Sequence, residues 1–412
     1  MEATQNKQQA NQNLNQADVT KLQGNMQGDV SWKQGQSQQN QAEFANVVNP
    51  LYPRVPENEA DAFAWVFESP DTINKYFYKF PALGAKDVRV RILFSAICQT
   101  DIEKGRSKSE EIRYPFCGGH EIVGEVIAIG NQVSRVKVAD KVLLGPVRDA
   151  CLNCDMCKQG ETSLCTMLPK EEKQNIAGKY FGGFSTHIQQ PESHIFKLPS
   201  NLNAETAAPL MCAGITVYRP LAKYGKKSWN VGMIGIGGLG HLGIQFARAM
   251  NMSVDALINK NDLEKYHDIL GLGVEKIVEW DDDRQMQLVQ NHYDMLLYML
   301  PVALPADEMN KIVLTLKPMG RLVIIGIPPK EQKLEVSYMP LVMHDIQLIG
   351  TMCGGRDDTQ AMLNFAESNK IESQCEFFEF EDFQKAIDHV ENGQPKFRAV
   401  LRVDQVSRRF TH

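Results

Sequence analysis

The sequence contains no apolar run that approaches the roughly 20 residues of a membrane-spanning helix. It also has no basic segment followed by an apolar one near its start, which is the pattern of a secretory signal peptide. Basic residues are not in excess, because 44 Lys and Arg stand against 50 Asp and Glu, and the net charge is −6. We therefore expect a cytoplasmic protein that binds neither membranes nor nucleic acid.

Disulfide bonds are also not indicated, because the chain has nine Cys, an odd number, and no export signal. Disulfides are rare in reducing compartments, so we expect free thiols and metal ligands instead. With 412 residues, the chain is long enough for two domains and a sizeable buried core.

Aromatic residues are scarce at the start of the chain, where about twenty of the first fifty residues are Gln or Asn. A stretch this polar buries too little apolar surface to offset the entropy cost of ordering, and we predict a disordered tail over residues 1–58. Pro50, Pro53 and Pro56 predict an extended linker at its end. The tail either only solvates the protein, which we favour, or forms a weak assembly segment, since Gln- and Asn-rich tracts can aggregate.

Short alternating segments after the tail predict a mostly β domain. In the clearest of them, 87–97, Val88, Val90 and Ile92 share one face. Helices at 359–369 and 381–390 precede a last strand that we expect to return to this domain. The predicted strands are 62–67, 87–97, 121–129, 141–144 and 397–403.

Four cysteines follow the pattern C-x2-C-x2-C-x7-C in a polar segment, namely Cys151, Cys154, Cys157 and Cys165. Thiolates at such spacing can surround one tetrahedral Zn²⁺, and four sulfur ligands leave no position for a substrate. Four unrelated buried thiols would need a less polar segment. A redox Cys-x-x-Cys would be one pair at the start of a helix. The pattern therefore predicts a structural zinc.

The sequence Gly-Ile-Gly-Gly-Leu-Gly at 235–240 lies between an apolar strand at 231–236 and a helix at 241–250. Strand, glycine turn and helix in this order predict a dinucleotide-binding unit, in which backbone N–H groups and the helix N-terminus meet a pyrophosphate. A glycine-rich packing turn is the alternative. Further alternating strands and helices predict a parallel sheet, with elements at 253–258, 262–270, 276–278, 293–298, 306–316 and 321–325.

A second group of metal-ligand residues lies outside the cysteine quartet: Cys98, His120, Glu121 and Cys212. Spacing alone does not join these three segments, and a lone His or Cys is more often a core residue than a ligand. Cys, His and Cys with a fourth position free is nevertheless a set of catalytic zinc ligands.

The motifs in chain order are C-x-T-D, G-G-H-E-x-x-G, the cysteine quartet, P-L-x-C-A-G-x-T-V-Y and G-I-G-G-L-G-H-L-G. This order resembles the zinc-dependent medium-chain alcohol dehydrogenases, and among them the NADP-preferring cinnamyl alcohol dehydrogenase-like branch. The resemblance runs from about residue 60 to the C-terminus. It implies an α/β protein, with a GroES-like mostly-β catalytic domain at 59–212 and 354–412 and a Rossmann cofactor domain with a doubly wound parallel sheet at 213–353. It also implies a homodimer.

The resemblance further implies the roles of single residues. Cys98, His120 and Cys212 would bind a catalytic zinc, so that each chain holds two zinc ions. Glu121 would be an occasional ligand, and Asp101 would orient His120. Thr100 would hydrogen-bond the substrate oxygen and pass its proton outward. Arg398 would contact a pyrophosphate oxygen and three residues would border the nicotinamide, namely Thr216, Gly350 and Thr351.

The implied reaction is hydride transfer between NADP(H) and a primary alcohol or aldehyde that is aromatic or of medium chain length. An NAD-preferring alcohol dehydrogenase and a polyol dehydrogenase of the same superfamily are the alternatives. A zinc-free quinone-reductase-like enzyme is disfavoured because all three ligands are present. A redox sensor or scaffold without enzymatic activity is disfavoured because the glycine turn is intact.

Two positions depart from the family pattern. Gln99 stands where a cofactor-facing His or Arg is common, and Glu103 stands where a His usually ends a proton relay. Either burial raises the pKa of Glu103 so that it can end the relay, or the relay ends in water and Glu103 is a surface charge. Because cations neighbour Glu103 in Ile102–Arg106 and would lower its pKa, we favour the second alternative.

Cofactor preference is predicted from the end of the second Rossmann strand. An NAD enzyme usually has an acid there to bind the ribose 2′-hydroxyl, about twenty residues after the glycine turn. Asn259 is neutral and Lys260 could pair with a 2′-phosphate, while Asp255 lies too early in the strand and Asp262 is expected to cap the next helix. These residues favour NADP(H).

Overall fold

The computed structural model describes residues 49–108, 112–260, 265–328, 331–393 and 395–410. Most of the predicted tail therefore lies outside the described residues. Its last part, from Asn49, belongs to the folded protein, which corrects the predicted limit at 58. Tyr52 is 3% exposed and its ring stacks on Phe181 with centroids 4.3 Å apart. Burial of this aromatic ring stabilises the segment that composition predicted as a free linker.

The catalytic part is built on a seven-stranded sheet in the order β14-β15-β3-β4-β5-β7, with β6 paired to β3, beside the hairpin β1-β2. The strand β15 pairs antiparallel with β3, so the predicted return of the last strand is confirmed. The strands of the catalytic part, including the hairpin, are β1 Ala62–Ser69, β2 Thr72–Tyr78, β3 Asp87–Ile97, β4 Ile122–Ile129, β5 Lys141–Leu144, β6 His187–Pro191, β7 Ile195–Lys197, β14 Cys375–Glu379 and β15 Arg398–Arg402.

The second sheet is six-stranded and parallel throughout, in the order β10-β9-β8-β11-β12-β13. This doubly wound order places a ligand crevice at the carboxyl ends of β8 and β11, where the chain reverses the direction in which strands are added. The strands are β8 Asn230–Ile234, β9 Ser253–Ile258, β10 Lys276–Glu279, β11 Tyr293–Tyr298, β12 Leu316–Ile324 and β13 Gln347–Gly350.

The helices connect and cover these sheets, and the longest of them lie around the parallel sheet and at its junction with the catalytic part. Among the described residues, no helix is both long and apolar enough to cross a membrane. The described α-helices are α1 Gln99–Gly105, α2 Asp155–Lys158, α3 Lys170–Lys173, α4 Ala204–Ala207, α5 Ala213–Tyr224, α6 Gly240–Ala249, α7 Tyr266–Gly271, α8 Asp283–Leu288, α9 Ala306–Val313, α10 Tyr338–Met343, α11 Arg356–Asn369, α12 Phe383–Glu391 and α13 Asp404–Ser407.

The predicted helix 306–316 is too long, because α9 ends at Val313 and β12 begins at Leu316. Between them the buried Thr315 donates its hydroxyl to the carbonyl of Ile312 at 2.7 Å, which closes the helix with a side chain instead of a further turn. The predicted helix 262–270 is described only from Lys265, so the expected cap at Asp262 lies outside the described residues.

One hydrophobic core crosses the boundary between the two sheets. It joins Val123 and Leu143 of the catalytic part to Val231 and Met295 of the parallel sheet. All four side chains are fully buried. Because this core is continuous, the strand ends of both sheets keep a fixed geometry around the site between them.

Candidate functional site

The sulfur atoms of Cys151, Cys154, Cys157 and Cys165 all lie within 4.8 Å of one another. The Sγ atoms of Cys151 and Cys157 are 3.9 Å apart. A tetrahedral zinc with bonds of about 2.3 Å would hold its sulfur ligands about 3.8 Å apart. The four side chains therefore fit one zinc ion, although they are spread over a loop of fifteen residues.

Backbone N–H groups of the same loop donate hydrogen bonds to sulfurs of the quartet. Cys151 Sγ accepts from the N–H groups of Asn153 and Cys154 at 3.4 and 3.3 Å. Backbone hydrogen bonds from Thr166 and Cys157 lower the pKa of Cys154 to about 5. Hydrogen bonds to the charged form favour that form, and a thiolate is the form that binds a metal.

The second group is brought together from three separate segments. Cys98 follows β3 directly, His120 and Glu121 precede β4, and Cys212 precedes α5. Their ligand atoms lie within 4.8 Å of one another, and His120 Nε2 is 3.2 Å from Cys212 Sγ. The set is buried except for Cys212, which is partly exposed. One imidazole, two thiols and a carboxylate of this arrangement suit a zinc ion with one accessible position.

Asp101 fixes the ring of His120. Its Oδ1 lies 2.8 Å from His120 Nδ1 and accepts the N–H of Gly119 at the same distance. Gly119 has a φ of +90°, which a residue with a side chain rarely adopts, and this turn aims the imidazole at Cys212. With Nδ1 engaged, Nε2 is the nitrogen that faces the metal ligands.

Glu121 pairs with Arg398, whose Nη2 donates to both carboxylate oxygens at 2.5 Å. Burial raises the pKa of Glu121 to about 7, although Arg398 acts in the opposite direction. Arg398 is 6% exposed and lies against the glycine turn, because a Cβ built on Gly238 would be 2.5 Å from its Nη1. Arg398 thus connects the cysteine–histidine group to the turn.

The glycine turn has the strand, turn and helix context that the sequence predicts. Gly235 has a φ of +90°, and a Cβ on Gly240 would be 2.5 Å from the carbonyl oxygen of Gly235. A Cβ on Gly237 would meet no atom within 4 Å, so the turn faces open space there. Leu239 and Gly240 begin α6, whose N-terminus is directed at this space.

That space is a cavity of about 480 Å³ between the two parts of the protein. The residues that line it include Gln99, Gly237, Gly238 and Arg398. Gln99, which departs from the family pattern, therefore faces the same cavity as the glycine turn. The backbone N–H groups of the turn and the guanidinium of Arg398 give this cavity donors suited to an anionic group. Sequence reasoning did not find three further lining residues, Lys265, Asp268 and Lys396, which no motif marks.

The other predicted cofactor residues lie at strand and helix ends and are not among the residues that line the 480 Å³ cavity. Gly350 and Thr351 line a separate cavity of about 410 Å³, together with Arg219. Thr216 is in the first turn of α5, and its N–H donates to the carbonyl of Cys212 at 3.0 Å. Gly350 ends β13 and Thr351 follows it. Thr100 lies beside Cys98 in the first turn of α1.

Asn259 and Lys260 follow β9, as predicted, and do not line the 480 Å³ cavity. Lys260 is 68% exposed and its Nζ is 3.6 Å from the carboxylate of Asp281, a residue that the sequence reasoning missed. Asp255 is buried inside the strand and accepts a hydrogen bond from Tyr293 at 3.0 Å. Asp255 therefore lies too early in β9 to reach the strand end, as the sequence predicts.

The expected pKa of Glu103 is wrong in direction. Its side chain is exposed, but withdrawal of the carboxylate from solvent and the negative charge of Cys98 raise its pKa above the usual value. Gln99 and Lys104 lower it by less. The cations beside Glu103 are visible in the sequence, whereas the partial burial of its carboxylate and its proximity to the Cys98 thiolate arise only in the folded protein.

Comparison with known proteins identifies the family. The model of the alcohol dehydrogenase GroES-like domain matches residues 84–200, and the model of the zinc-binding dehydrogenase matches residues 238–368. Cinnamyl alcohol dehydrogenase 7 of Arabidopsis thaliana is 31% identical over 354 residues, which are 85% of this chain and 97% of that protein.

The chain belongs to the zinc-dependent medium-chain alcohol dehydrogenases. Within them it falls in the cinnamyl alcohol dehydrogenase-like branch, and it is an enzyme of the alcohol dehydrogenase class. Mannitol dehydrogenase of Apium graveolens is 30% identical over 361 residues, 85% of this chain and 96% of that protein.

Two solved structures are similar to this dehydrogenase. A cinnamyl alcohol dehydrogenase from Sorghum bicolor superposes with a TM-score of 0.76 at 27% identity, covering 83% of this chain and 98% of that one. The enzyme of the same name from Helicobacter pylori, solved in complex with NADP(H), gives 0.75 at 27% identity, with the same two coverages. The GroES-like and Rossmann architecture expected from the sequence is thereby confirmed.

Proposed function

We propose that this dehydrogenase transfers a hydride between NADP(H) and an aromatic or medium-chain primary alcohol or aldehyde. The observation that carries the proposal is the continuity from the ligand set Cys98–His120–Cys212, through Glu121 and Arg398, to the glycine turn. This continuity supports a reaction that needs a Lewis-acidic metal and a nicotinamide close to each other.

Each binding group has a defined task in this reaction. Zinc held by Cys98, His120 and Cys212 would supply a Lewis acid for the substrate oxygen, and the nicotinamide would supply or accept the hydride. Asp101 holds His120 in the tautomer that leaves Nε2 free. Thr100, in the helix that starts beside Cys98, is proposed to hold the proton of the substrate hydroxyl.

The cysteine quartet is proposed to bind the second of two zinc ions per chain. Four sulfur donors close the coordination sphere, so this ion stabilises the loop and takes no substrate. Metal analysis of the purified protein tests the number directly, and we expect two zinc ions per chain. One ion or none would contradict the proposal.

NADP(H) is proposed as the preferred cofactor because Lys260 offers a cation at the end of β9, where the neutral Asn259 stands in the position of the usual acid. The similar Helicobacter pylori enzyme was solved in complex with NADP(H), which supports this preference. The preference for NAD is a second candidate, since Asp281 offsets part of the charge of Lys260. A polyol substrate is a third, and the similarity to mannitol dehydrogenase favours it.

One experiment separates these candidates. Initial rates with a panel of aromatic aldehydes, aliphatic aldehydes and polyols are measured with NADPH, NADH and their oxidised forms. We expect the highest kcat/KM with NADPH and an aromatic aldehyde such as cinnamaldehyde. An equal or higher value with NADH would overturn the cofactor assignment, and turnover of polyols alone would overturn the substrate class. Turnover of none of them would overturn the proposed reaction.

A homodimer is proposed on the basis of the edge of the parallel sheet. β13 pairs with β12 on one side, and no other described strand pairs with its outer edge. Beside it, α10 exposes Tyr338, Met339, Val342 and Met343, which are 67–84% accessible. A second copy of the chain can cover this apolar helix and pair with the free strand edge through an isologous contact.

A further inference from the structure

The second half of the cysteine loop, residues 160–163, lies directly against residues 350–356, the turn between β13 and α11. Ser163 Oγ donates to the carbonyl of Cys353 at 3.0 Å, and the N–H of Arg356 donates to Thr162 Oγ1 at 2.9 Å. A Cβ on Gly355 would be 1.8 Å from the carbonyl oxygen of Gly160. The loop proposed to hold the structural zinc is therefore packed on the turn that starts with Gly350 and Thr351.

Arg219 of α5 joins three segments at this contact. Its Nη2 donates to both carboxylate oxygens of Glu161 at 2.7 Å, and its Nη1 donates to Thr351 Oγ1 at 2.8 Å. Its Nε donates to Asp358 at 3.2 Å. Arg219 is 7% exposed, so its guanidinium is held by partners on three sides instead of by water.

The carboxylates around Arg219 stabilise its buried charge. Burial lowers the pKa of its guanidinium, but Glu161 and Asp358 outweigh this and raise the pKa. Glu161 also accepts from Lys223, one turn further along α5, at 2.8 Å. A buried guanidinium that lost the Glu161 carboxylate would keep only Asp358 as a charged partner and would change its position.

The helix that carries Arg219 also carries Thr216 one turn earlier, and both follow the metal ligand Cys212. Arg219 therefore ties Thr351, at the end of the parallel sheet, to the helix that begins at the catalytic cluster. Glu161 in turn lies between Cys157 and Cys165 of the cysteine loop.

We propose that Arg219, held by Glu161, is a positioning residue for the nicotinamide end of the cofactor site, and that the cysteine loop acts on cofactor affinity through this pair. Arg219 sets the place of Thr351 relative to Thr216. The inference rests on the proposed function, because Thr351 and Thr216 are nicotinamide neighbours only in a nicotinamide-dependent enzyme.

The test compares Glu161→Gln with Asp155→Asn, a matched control that removes one charge from an exposed position of the same loop. Binding of NADPH is measured by the fluorescence of the reduced cofactor, together with zinc content, KM and kcat. We expect Glu161→Gln to raise the Kd and the KM for NADPH about tenfold, the effect of losing one charge-assisted contact. Zinc content and kcat should stay within about twofold of the parent.

A double-mutant cycle shows whether Glu161 acts through Thr351. Thr351→Val removes the acceptor of Arg219 Nη1, and the effects of Thr351→Val and Glu161→Gln on the Kd should be less than additive. Arg219→Lys should restore part of the affinity lost in Arg219→Met, because the ammonium still pairs with Glu161 but lacks the planar fork. A role in stability alone would lower the melting temperature of these variants and leave the Kd unchanged.

The outcomes distinguish the two proposals. If the parent binds NADPH and Glu161→Gln binds it equally well, the positioning role is overturned and the proposed function stands. Additive effects in the cycle also overturn it, since Glu161 would then act without Thr351. If the parent binds neither NADPH nor NADH, the proposed function fails and this inference fails with it.

Discussion

Asp101 is fully buried and its carboxylate accepts hydrogen bonds from several donors, which include the ring of His120. Asp101 orients His120, a proposed metal ligand, and is not itself one of the proposed ligands. Such outer partners typically contribute about 10- to 100-fold to metal affinity.

Asp101→Asn should therefore weaken zinc binding at the catalytic cluster by about 10- to 100-fold, because the neutral amide keeps the shape and loses the charge that favours the correct tautomer. Competition with a chelator of known affinity measures this. Asp71→Asn, at an exposed position in the hairpin, is the control. Equal zinc affinity in Asp101→Asn and the parent would remove the orienting role.

At the scale of single elements, the cysteine loop and the catalytic cluster use the same chemistry for different ends. The loop closes four sulfurs around one point, whereas the cluster offers three ligands and a carboxylate that is already paired with Arg398. Loss of a ligand should therefore have different consequences in the two places.

Cys154→Ser should lose one zinc ion and lower the melting temperature, because binding of a structural zinc contributes directly to folding stability. Cys212→Ser should stay folded, with turnover reduced to almost nothing, since the core around α5 does not depend on that thiol. Metal content, thermal melting and aldehyde reduction measure the two effects. Cys375→Ser, outside both clusters, is the control, and a Cys154→Ser protein with the stability of the parent would contradict a structural role for the loop.

The short helix α13 is attached to β3 by charge. Asp404 pairs with the buried Arg91 and with Arg408. Burial acts to raise the pKa of Asp404, but the hydrogen bonds from Arg408 and Arg91 outweigh it and hold this pKa below its usual range. A carboxylate with a depressed folded-state pKa stabilises the fold above its unfolded pKa, and that stabilisation is lost as the pH falls through the folded pKa.

Asp404→Asn should lower the free energy of unfolding at pH 7 by about 1–3 kcal/mol, the range for a hydrogen-bonded charged group whose partner stays buried. The difference from the parent should shrink as the pH falls below about 4, where Asp404 becomes protonated in the parent too. Urea denaturation at several pH values measures it. Asp357→Asn, 81% exposed, should show no such trend. A difference independent of pH would refute the charge-based attachment.

At the scale of the whole molecule, the start of the folded chain lies before residue 58, since Tyr52 is packed on Phe181. Removal of residues 1–48 should leave kcat/KM for the aldehyde unchanged. Removal of residues 1–58 should cost stability of about 3–5 kcal/mol, the range for deleting a buried aromatic side chain. Thermal melting and initial rates of the two truncated proteins test this. Equal stability of both would show that the Tyr52 segment contributes nothing.

The proposed homodimer depends on the apolar face of α10. Met339→Asp combined with Val342→Asp should convert the dimer to a monomer, because two carboxylates would be buried against their counterparts in the second copy. Light scattering after size-exclusion chromatography gives the mass. Leu288→Asp places a charge on an equally exposed leucine of α8 and should leave the dimer intact. A monomeric parent, or a dimeric double variant, would contradict the proposed interface.

Local patterns predicted much of the fold. The strands 87–97, 141–144, 253–258 and 293–298 have the predicted bounds, because alternation or continuous apolar character is a property of the segment itself. Helix ends were predicted less well: α9 ends at Val313 instead of 316, because Thr315 is buried and its hydroxyl bonds the carbonyl of Ile312, and neither can be read from periodicity. The quartet and the glycine turn were found because their residues are close in sequence and their spacing is set by the chemistry of one ligand.

The sequence by itself thus determined the two sheets, the quartet and the dinucleotide turn, all of which are encoded in contiguous residues. Only the tertiary structure decided that Cys98, His120 and Cys212 share one point, that Arg398 links Glu121 to Gly238, and that Arg219 joins Glu161 to Thr351. It also decided that partial burial and the negative charge of Cys98 together raise the pKa of Glu103 by more than Gln99 and Lys104 lower it. The physical reason is that electrostatic and hydrogen-bond partners are chosen by distance in space, which chain folding sets and sequence separation does not show.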